Sequence, residues 1–248
     1  MSSRRIAELL RRTLVVVSHP DDECIVAGAL LQRMQHAAVV FCTDGGPRDK
    51  YFWEKYGSRE EYAFARRNEA EAVARIAGVE RLEFLSIADQ ELYLNLPSAL
   101  EELQRIVSEF KPDAVLTTSY EGGHPDHDCC AFLSYVLGHR HGLAVWEVPL
   151  YHRTKEGPRQ QEFIAPTGKV TELRITQTEL ERKRQMLAAY ASQAGVLQGF
   201  DLQIERFRPQ QKYDFSIPPR AEVINYEVWE WAMKADQVCG KFQEVENI

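Results

Sequence analysis

Short β-branched runs alternate with helical segments over the first 150 residues, and this alternation restricts the chain to few folds. Residues 13–18 (TLVVVS) and 37–43 (AAVVFCT) are compact apolar runs typical of buried parallel strands. Three similar runs lie at 81–86, 113–119 and 143–148, with helical periodicity or turn residues between them. This order predicts an α/β fold, with a Rossmann-like, mostly parallel sheet flanked by helices.

The helices between these runs carry recognisable start and stop signals. We expect Asp22 to be the N-cap of the first helix, Gly78 to end the second, and Pro112 to stop the third. A turn at EGGHPDHDCC enters a further helix after the fourth strand. The main helices are predicted at 23–35, 59–77, 98–110 and 177–190.

The chain length of 248 residues fits one domain. Hydrophobic residues make up 44% of the chain, which is enough for a sizeable core. The expected core covers about 13–150. Residues of about 151–248 contain a polar, Pro- and Gly-broken stretch and an aromatic tail, so we expect a C-terminal extension packed on the core rather than a separable domain.

Charge and cysteine content exclude several partner classes. The net charge of -7 argues against a nucleic-acid partner, which would need a basic face. No run approaches ~18 apolar residues, so we expect no transmembrane helix, and the N-terminus lacks the apolar region of a signal peptide. The cysteine count of five is odd and no CxxC pair occurs. Reduced thiols and a cytoplasmic location are the simplest interpretation.

Polar clusters follow three of the predicted strands. They occupy residues 18–23 (SHPDDE), 43–46 (TDGG) and 122–128 (GGHPDHD). Taken alone, His-Pro-Asp-Asp is often a capped turn, and His-x-x-His is often an accident of a helix start. Ligands of open parallel sheets, however, bind outside the carboxyl ends of the strands. Both motifs at such ends therefore favour one shared site.

The residue types in these clusters suit a catalytic metal. A catalytic zinc takes three protein ligands, and His19, Asp22 and His127 can supply them. The ion lowers the pKa of its bound water from about 15.7 to about 7, and Asp21 is the candidate general base. His124 would stabilise a developing oxyanion. A divalent cation also relieves the repulsion between the adjacent Asp21 and Asp22.

These motifs resemble those of the PIG-L/LmbE-like deacetylases, zinc enzymes that remove an acetyl group from N-acetylglucosamine conjugates. The His-Pro-Asp-Asp-Glu block at 19–23 matches, as does Gly-His-Pro-Asp-His at 123–127. Arg66 with Glu69, and Lys183 followed by Tyr-x-Ser-Gln at 190–193, match further features. The resemblance spans about residues 13–195 and implies a small-molecule glycoconjugate as the substrate.

The resemblance implies a role for each matching residue. His19, Asp22 and His127 would bind Zn²⁺, with Fe²⁺ as the alternative ion. Asp21 would act as the general base, while His124 would polarise the carbonyl with Asp126 orienting it. Arg66 would contact sugar hydroxyls. The alternative for Arg66 is an ion pair with Glu69, which lies three residues further along the same helix face.

Some positions depart from the family pattern and leave questions open. Gly46 stands where an acid is common, and Asp128 where a basic residue is common. The aromatic loop 47–58 would stack on a sugar, close over the site or pack on its own sheet. The same alternatives apply to Trp229 and Trp231. These two residues would also suit a subunit interface, so the sequence leaves open whether the protein forms a homo-oligomer.

Two other functions compete with deacetylation. A metal-dependent phosphoesterase would use similar acids but prefers an oxygen-rich site, often with two ions. A non-catalytic sugar- or nucleotide-binding protein with the same fold would not need paired aspartates beside a histidine. No GxGxxG follows the first strand, where Ser18 and His19 stand instead. Zinc-dependent hydrolysis of an acetamido group is therefore the leading hypothesis.

Overall fold

A computed structural model describes residues 2–165 and 167–246, without the side chains of 2–6 and 246. The helices are α1 (Ser2–Arg11), α2 (Asp22–Leu31), α3 (Arg59–Ala77), α4 (Leu96–Phe110), α5 (Pro125–His141), α6 (Gln177–Ala189), α7 (Ala194–Leu197), α8 (Asn225–Val228) and α9 (Ala235–Glu246). The strands are β1 (Arg12–Val17), β2 (His36–Thr43), β3 (Arg81–Ile87), β4 (Ala114–Thr118), β5 (Ala144–Val148), β6 (Tyr151–Thr154), β7 (Gly157–Gln160), β8 (Thr171–Glu172) and β9 (Arg206–Pro209).

The central sheet has seven strands in the order β3-β2-β1-β4-β5-β9-β8. The strands from β3 to β5 run parallel, and β9 and β8 extend the sheet in antiparallel fashion. The predicted α/β fold with a mostly parallel sheet is confirmed. Because β1 lies between β2 and β4, the strand order reverses beside it, and a crevice opens at the carboxyl ends of β1 and β4.

Both faces of the sheet are buried, which explains why β1 is apolar throughout. Leu14 and Val16 belong to the core cluster on one face, while Val15 and Val17 belong to the cluster on the other. Successive side chains of a strand point to opposite faces, so a strand covered by helices on both sides needs an apolar residue at every position. The run LVVV satisfies this requirement.

The start of α2 differs from the sequence prediction. Asp22 is the first residue of the helix rather than its N-cap, and Asp21 occupies the cap position without a side-chain hydrogen bond. The Asp22 carboxylate instead accepts hydrogen bonds from the backbone N–H of Ser18 (3.2 Å) and of His19 (2.8 Å). The loop after β1 folds back onto Asp22, so this side chain cannot cap the helix.

Other helix ends follow their predicted signals closely. Helix α3 covers 59–77 and ends at Gly78, which is left-handed with a φ of 77°. Helix α4 begins at Leu96, two residues before the predicted start, with a proline in its first turn. Its stop is made by Lys111, which adopts a left-handed conformation one residue before the proline. These outcomes confirm the boundaries to within a few residues.

The segment after β5 is joined to the sheet through buried polar contacts with α2. Lys183 of α6 is fully buried, and its Nζ pairs with Glu205 (2.8 Å) and donates to the Ile25 carbonyl (3.0 Å). The Glu205 carboxylate also accepts from the backbone N–H of Ala29 and Leu30. These two amides follow a break in α2 at Ala27, so Glu205 satisfies donors near the break.

The cysteines and one further histidine are buried. All five cysteines are free of disulfides, as predicted, and the adjacent pair at 129–130 lies in the first half of α5. His152 is buried within β6. Across residues 2–165 and 167–246, no helix has the length and apolar character required to cross a membrane.

Candidate metal and catalytic site

A cavity of about 650 Å³ opens at the carboxyl ends of the parallel strands. Its inner wall is formed by the loops that follow β1, β3 and β4. Its outer wall comes from β6, the loop at 47–52 and the segment at 225–231. All residues predicted for the site line the cavity, except Asp126, which lies fully buried directly behind it.

Three predicted metal ligands form a small triangle in the inner wall. His19 Nδ1 lies 3.3 Å from His127 Nε2. The Asp22 carboxylate lies 3.4 Å from His127 Nε2 and 3.5 Å from His19 Nδ1. Ligands about 2.0–2.1 Å from a tetrahedral zinc ion are separated by roughly 3.3–3.4 Å. The triangle therefore has the dimensions of one face of a zinc coordination sphere.

The protonation tendencies of these residues suit ligand roles. Burial alone would raise the pKa of Asp22, but the charges and hydrogen bonds of His127 and His19 hold its pKa well below its usual range. Burial lowers the pKa of His127, which favours the neutral imidazole that binds metals. The buried carboxylates of Asp22, Asp89 and Asp126 beside His19 favour positive charge in this part of the cavity.

The outer ring nitrogen of His19 is held by two carboxylates. His19 Nε2 lies 3.4 Å from Asp126 Oδ2 and 3.4 Å from Asp89 Oδ1. Such contacts fix the ring orientation and tautomer of a ligand histidine. The other histidine of the triangle lacks this support: His127 Nδ1 is buried without a hydrogen-bond partner among the described residues.

A second group of potential donors adjoins the triangle and consists of His19, Asp89, His124 and Asp126. The carboxylate of Asp126 already accepts hydrogen bonds from the backbone N–H groups of Gln90 (2.7 Å) and Leu92 (3.2 Å). We therefore assign the second group to orienting the histidines rather than to holding a metal.

Asp21 lies beside the triangle in a strained backbone conformation. Its φ of 137° is rare for a residue with a side chain and costs on the order of 1–3 kcal/mol. Its carboxylate contacts Arg66 Nη2 at 3.0 Å. Burial raises the pKa of Asp21 to about 7, opposed by Arg66 and assisted by the negative charge of Asp22. The strain places a carboxylate beside the triangle without making it part of the triangle.

Arg66 is buried and binds the loops on both sides of it. Its Nη1 donates to the Gly45 carbonyl (2.6 Å) and its Nη2 to the Pro20 carbonyl. Gly45 has a left-handed φ of 67°, and a Cβ there would also lie 2.6 Å from Nη1, so both the backbone and the close approach favour glycine. The alternative ion pair with Glu69 does not form, because Glu69 accepts from the backbone N–H (2.9 Å) and hydroxyl (2.6 Å) of Ser192.

His124 caps α5 and faces the triangle edge-on. Its Nδ1 accepts from the backbone N–H of Asp126 (3.1 Å), so the proton of the neutral ring resides on Nε2. That nitrogen lies 3.4 Å from Asp89 Oδ1. The His124 and His19 rings have centroids 4.5 Å apart. The geometry leaves a donor, Nε2–H, at the edge of the cavity.

Several residues of the cavity lie outside the sequence motifs. Asp89 follows β3 at the same sheet edge as the predicted clusters, so the strand-end rule could have identified it. Tyr151 packs against His127 with centroids 5.3 Å apart, and no motif marked it. A Cβ at Gly123 would lie 2.0 Å from the Tyr151 carbonyl oxygen, which explains the glycine before His124.

The aromatic residues that were left open by the sequence divide into two groups. Phe52, Trp229 and Trp231 line the cavity. The centroid of the Trp231 ring lies 4.9 Å from that of His124 and 4.9 Å from that of Trp229, so the three rings form an aromatic path from His124 to the rim. Tyr51 does not line the cavity and is 82% exposed. The 47–58 loop thus contributes one aromatic ring to the site.

Comparison with known proteins is consistent with these features. Residues 14–136 match the family model described as PIG-L: GlcNAc-PI de-N-acetylase, which confirms the resemblance seen in the motifs. The chain is 27% identical over 124 residues to the probable N-acetyl-alpha-D-glucosaminyl L-malate deacetylase 2 of Bacillus cereus, covering 48% of this chain and 56% of that protein.

A second curated relative comes from Thermobifida fusca. It is a 1D-myo-inositol 2-acetamido-2-deoxy-alpha-D-glucopyranoside deacetylase, 29% identical over 147 residues, and the match covers 47% of this chain and 50% of that protein. The chain thus spans about half the length of the curated relatives that it matches.

Solved structures share the fold at low sequence identity. A deacetylase of the teicoplanin biosynthesis pathway superposes with a TM-score of 0.67 and 17% identity, covering 82% of this chain and 99% of that one. GalB, the 4-carboxy-2-hydroxymuconate hydratase of Pseudomonas putida KT2440, gives a TM-score of 0.55 and 21% identity, covering 75% and 82%. The fold therefore hosts more than one chemistry, and the site must carry the functional argument.

Proposed function

Residues 14–136 form a PIG-L family domain, and from this premise we propose that the protein is a metal-dependent hydrolase that removes the acetyl group from an N-acetylglucosamine-type amino sugar or glycoconjugate. The observation that carries the proposal is the buried triangle of His19, Asp22 and His127, with the uncoordinated Asp21 beside it. This combination supplies a metal site and a separate base.

We take zinc as the ion, with Fe²⁺ as the alternative. Two imidazole nitrogens and one carboxylate are the donor types that these ions prefer, whereas Mg²⁺ and Mn²⁺ favour oxygen-rich sites. The same donor set disfavours the phosphoesterase alternative. A bound zinc ion supplies a water molecule of lowered pKa and polarises the substrate carbonyl.

The chain's own residues perform the remaining steps. Asp21, held by Arg66, accepts the proton of the attacking water. His124 directs its Nε2–H at the carbonyl oxygen and stabilises the negative charge that develops there. Asp126 and Asp89 hold the His19 ring, while Arg66 at the cavity wall is proposed to contact sugar hydroxyls. Protonated Asp21 then returns a proton to the leaving amine.

The substrate class and compartment are also part of the proposal. The relatives named above act on N-acetylglucosamine conjugates of L-malate and of inositol, and the cavity of about 650 Å³ is large enough for a small glycoconjugate. Five buried cysteines without disulfides fit a reducing compartment, and we place the enzyme in the cytoplasm.

Acetate release from a panel of N-acetylglucosamine conjugates, with and without chelator, tests this proposal. We expect release from at least one conjugate and its loss after chelation, with recovery when zinc is restored. Turnover that is indifferent to chelation would reject the metal mechanism. Tight sugar binding without any acetate release would instead support a non-catalytic sugar-binding protein.

A further inference from the structure

The cavity contains one arginine without an acidic partner. Arg66 and Arg153 are the arginines among its described lining residues, which include no lysine. Arg66 is paired with Asp21. For Arg153, no carboxylate of the described residues lies within the 4.0 Å of an ion pair. Its charge is therefore available to a ligand.

Arg153 is held in place from one side only. Its Nε donates to Asn225 Oδ1 at 2.8 Å, and its backbone forms a β-bridge with Val223. Asn225 is buried and is itself tied to the turn before His124, through hydrogen bonds to the carbonyls of Gly122 (2.9 Å) and Gly123 (3.3 Å). A guanidinium has five N–H donors, so this contact leaves the terminal nitrogens for another acceptor.

Strand β6 sets the distance between Arg153 and the metal triangle. Tyr151 packs against His127, and Arg153 follows two residues later on the same face of the strand. Two residues of a strand span about 6.6 Å. The backbone of Arg153 therefore lies roughly the width of one sugar ring from that of Tyr151, which packs beside the triangle.

The acids of the cavity do not compete for Arg153. Asp21 pairs with Arg66, Asp22 belongs to the triangle, and Asp89 faces His19 and His124. Asp49 at the rim accepts from the backbone N–H of Tyr51 at 2.9 Å. Each of these acids thus has a hydrogen-bond or ion-pair partner on the inner wall or rim, and Arg153 is the arginine of the described lining that lacks an acidic partner.

We propose that Arg153 binds an anionic group, a carboxylate or a phosphate, on the part of the substrate attached to the amino sugar. This inference rests on the proposed function and narrows its substrate class to acidic N-acetylglucosamine conjugates. Planar, bidentate recognition of carboxylate or phosphate oxygens is the contact for which an arginine is best suited.

The test compares three N-acetylglucosamine glycosides of similar size, whose aglycones carry a carboxylate, a phosphate or a neutral amide. We expect the kcat/KM of the wild type to be about 10- to 100-fold higher for an anionic aglycone than for the neutral amide. This is the range expected from charge-assisted hydrogen bonds to Arg153. In Arg153→Gln the ratio of kcat/KM for the anionic glycoside to that for the amide glycoside should fall to about 1. In Arg153→Lys the ratio should lie between this value and that of the wild type. The larger of the two anionic preferences identifies the group.

Arg159→Gln is the matched control, because Arg159 lies on β7 of the same hairpin, is exposed and does not line the cavity. This variant should keep the wild-type ratio. Equal kcat/KM for all three glycosides in the wild type, or an undiminished ratio in Arg153→Gln, would overturn the proposal. Melting temperatures of both variants distinguish lost recognition from lost folding.

Failure of the proposed function gives a different result, namely no acetate from any glycoside. In that case calorimetric binding of the carboxylate and amide glycosides to the wild type and to Arg153→Gln still decides the matter. Binding of the anion that weakens at least about 10-fold in the variant supports the anion site, and binding that is unchanged rejects it.

Discussion

The two walls of the cavity are built on different principles. In the inner wall, His19, Asp22 and His127 are almost fully buried, and neighbouring side chains or backbone amides hold most of their polar atoms. The outer wall presents half-exposed Trp229 and the partly satisfied Arg153. The sheet thus positions the residues that we propose for the chemistry, whereas the added segments carry the residues that we propose to contact the rest of the substrate.

The walls meet at Glu121, between β4 and the turn before His124. Its Oε1 accepts from the backbone N–H of Leu150 (2.8 Å) and Tyr151 (2.9 Å), while its Oε2 accepts from the Ser119 hydroxyl (2.7 Å). One buried carboxylate thus joins the turn before His124 to the start of β6. Variants in each wall, and then at Glu121, which links the two walls, separate their contributions.

The largest effect is expected for the inner wall. His127→Ala removes one of the three proposed ligands. We expect loss of bound metal and a fall in kcat/KM of at least about 1000-fold, because the ion would contribute several kcal/mol to transition-state stabilisation. Metal analysis and acetate release provide the measurement. Trp229→Ala serves as the outer-wall control and should retain the metal. A His127→Ala protein with full metal content would contradict the assignment.

A smaller but still large effect on turnover is expected for Asp21, the proposed general base. In Asp21→Asn we expect metal content to stay at the wild-type level while kcat falls about 10²- to 10⁴-fold, because proton transfer is lost. Asp49→Asn is a suitable control, since Asp49 lies at the cavity rim. Near-normal acetate release by Asp21→Asn would show that another group accepts the proton.

The outer wall should affect binding more than chemistry. Trp229→Ala removes a ring that is 43% exposed and lines the cavity, so we expect KM to rise about 2- to 10-fold with little change in kcat. Tyr51→Ala is the matched control because Tyr51 is exposed outside the cavity. A fall in kcat with unchanged KM would place Trp229 in the chemical step.

The smallest effect concerns the joint between the walls and depends on pH. Burial raises the pKa of Glu121 to about 8 from 4.5, although hydrogen bonds from Ser119, Leu150 and Tyr151 oppose the shift. A raised folded-state pKa gives stability that is present at low pH and is lost as pH rises from about 4.5 to 8.

Glu121→Gln keeps similar hydrogen bonds but cannot ionise. The melting temperature of the variant relative to wild type should therefore increase by roughly 3–10 °C between pH 5 and pH 8. Differential scanning calorimetry at several pH values measures this difference. A difference that is constant with pH would mean that Glu121 stays ionised in the folded protein.

The sequence predicted the inner wall because its signals are local and periodic. An apolar run buried on both faces identifies a strand such as β1, and parallel topology brings the polar ends of β1 and β4 together. The relation of His19 to His127, more than 100 residues apart, follows from these two facts. The error at Asp22 arose because its carboxylate satisfies the loop behind it rather than the helix ahead.

The outer wall could not be predicted in the same way. Arg153 lies in a short hairpin, Asn225 begins the single-turn helix α8 and Trp231 follows that helix, and elements this short show no periodic pattern from which side-chain directions could be predicted. Their positions depend on long-range contacts such as the bridge from Arg153 to Val223 and the hydrogen bond from Asn225 to Gly122. The burial of His152 has the same cause, since a four-residue strand gives too little pattern for its buried face to be assigned from sequence.

The most direct test of the central claim is a titration of metal-stripped protein with zinc, followed by acetate release from an N-acetylglucosamine conjugate. Three protein ligands around one ion predict that activity rises linearly and stops at about one equivalent per chain. His127→Ala should show no rise over the same range. Full activity in the stripped protein before any zinc is added would contradict the account.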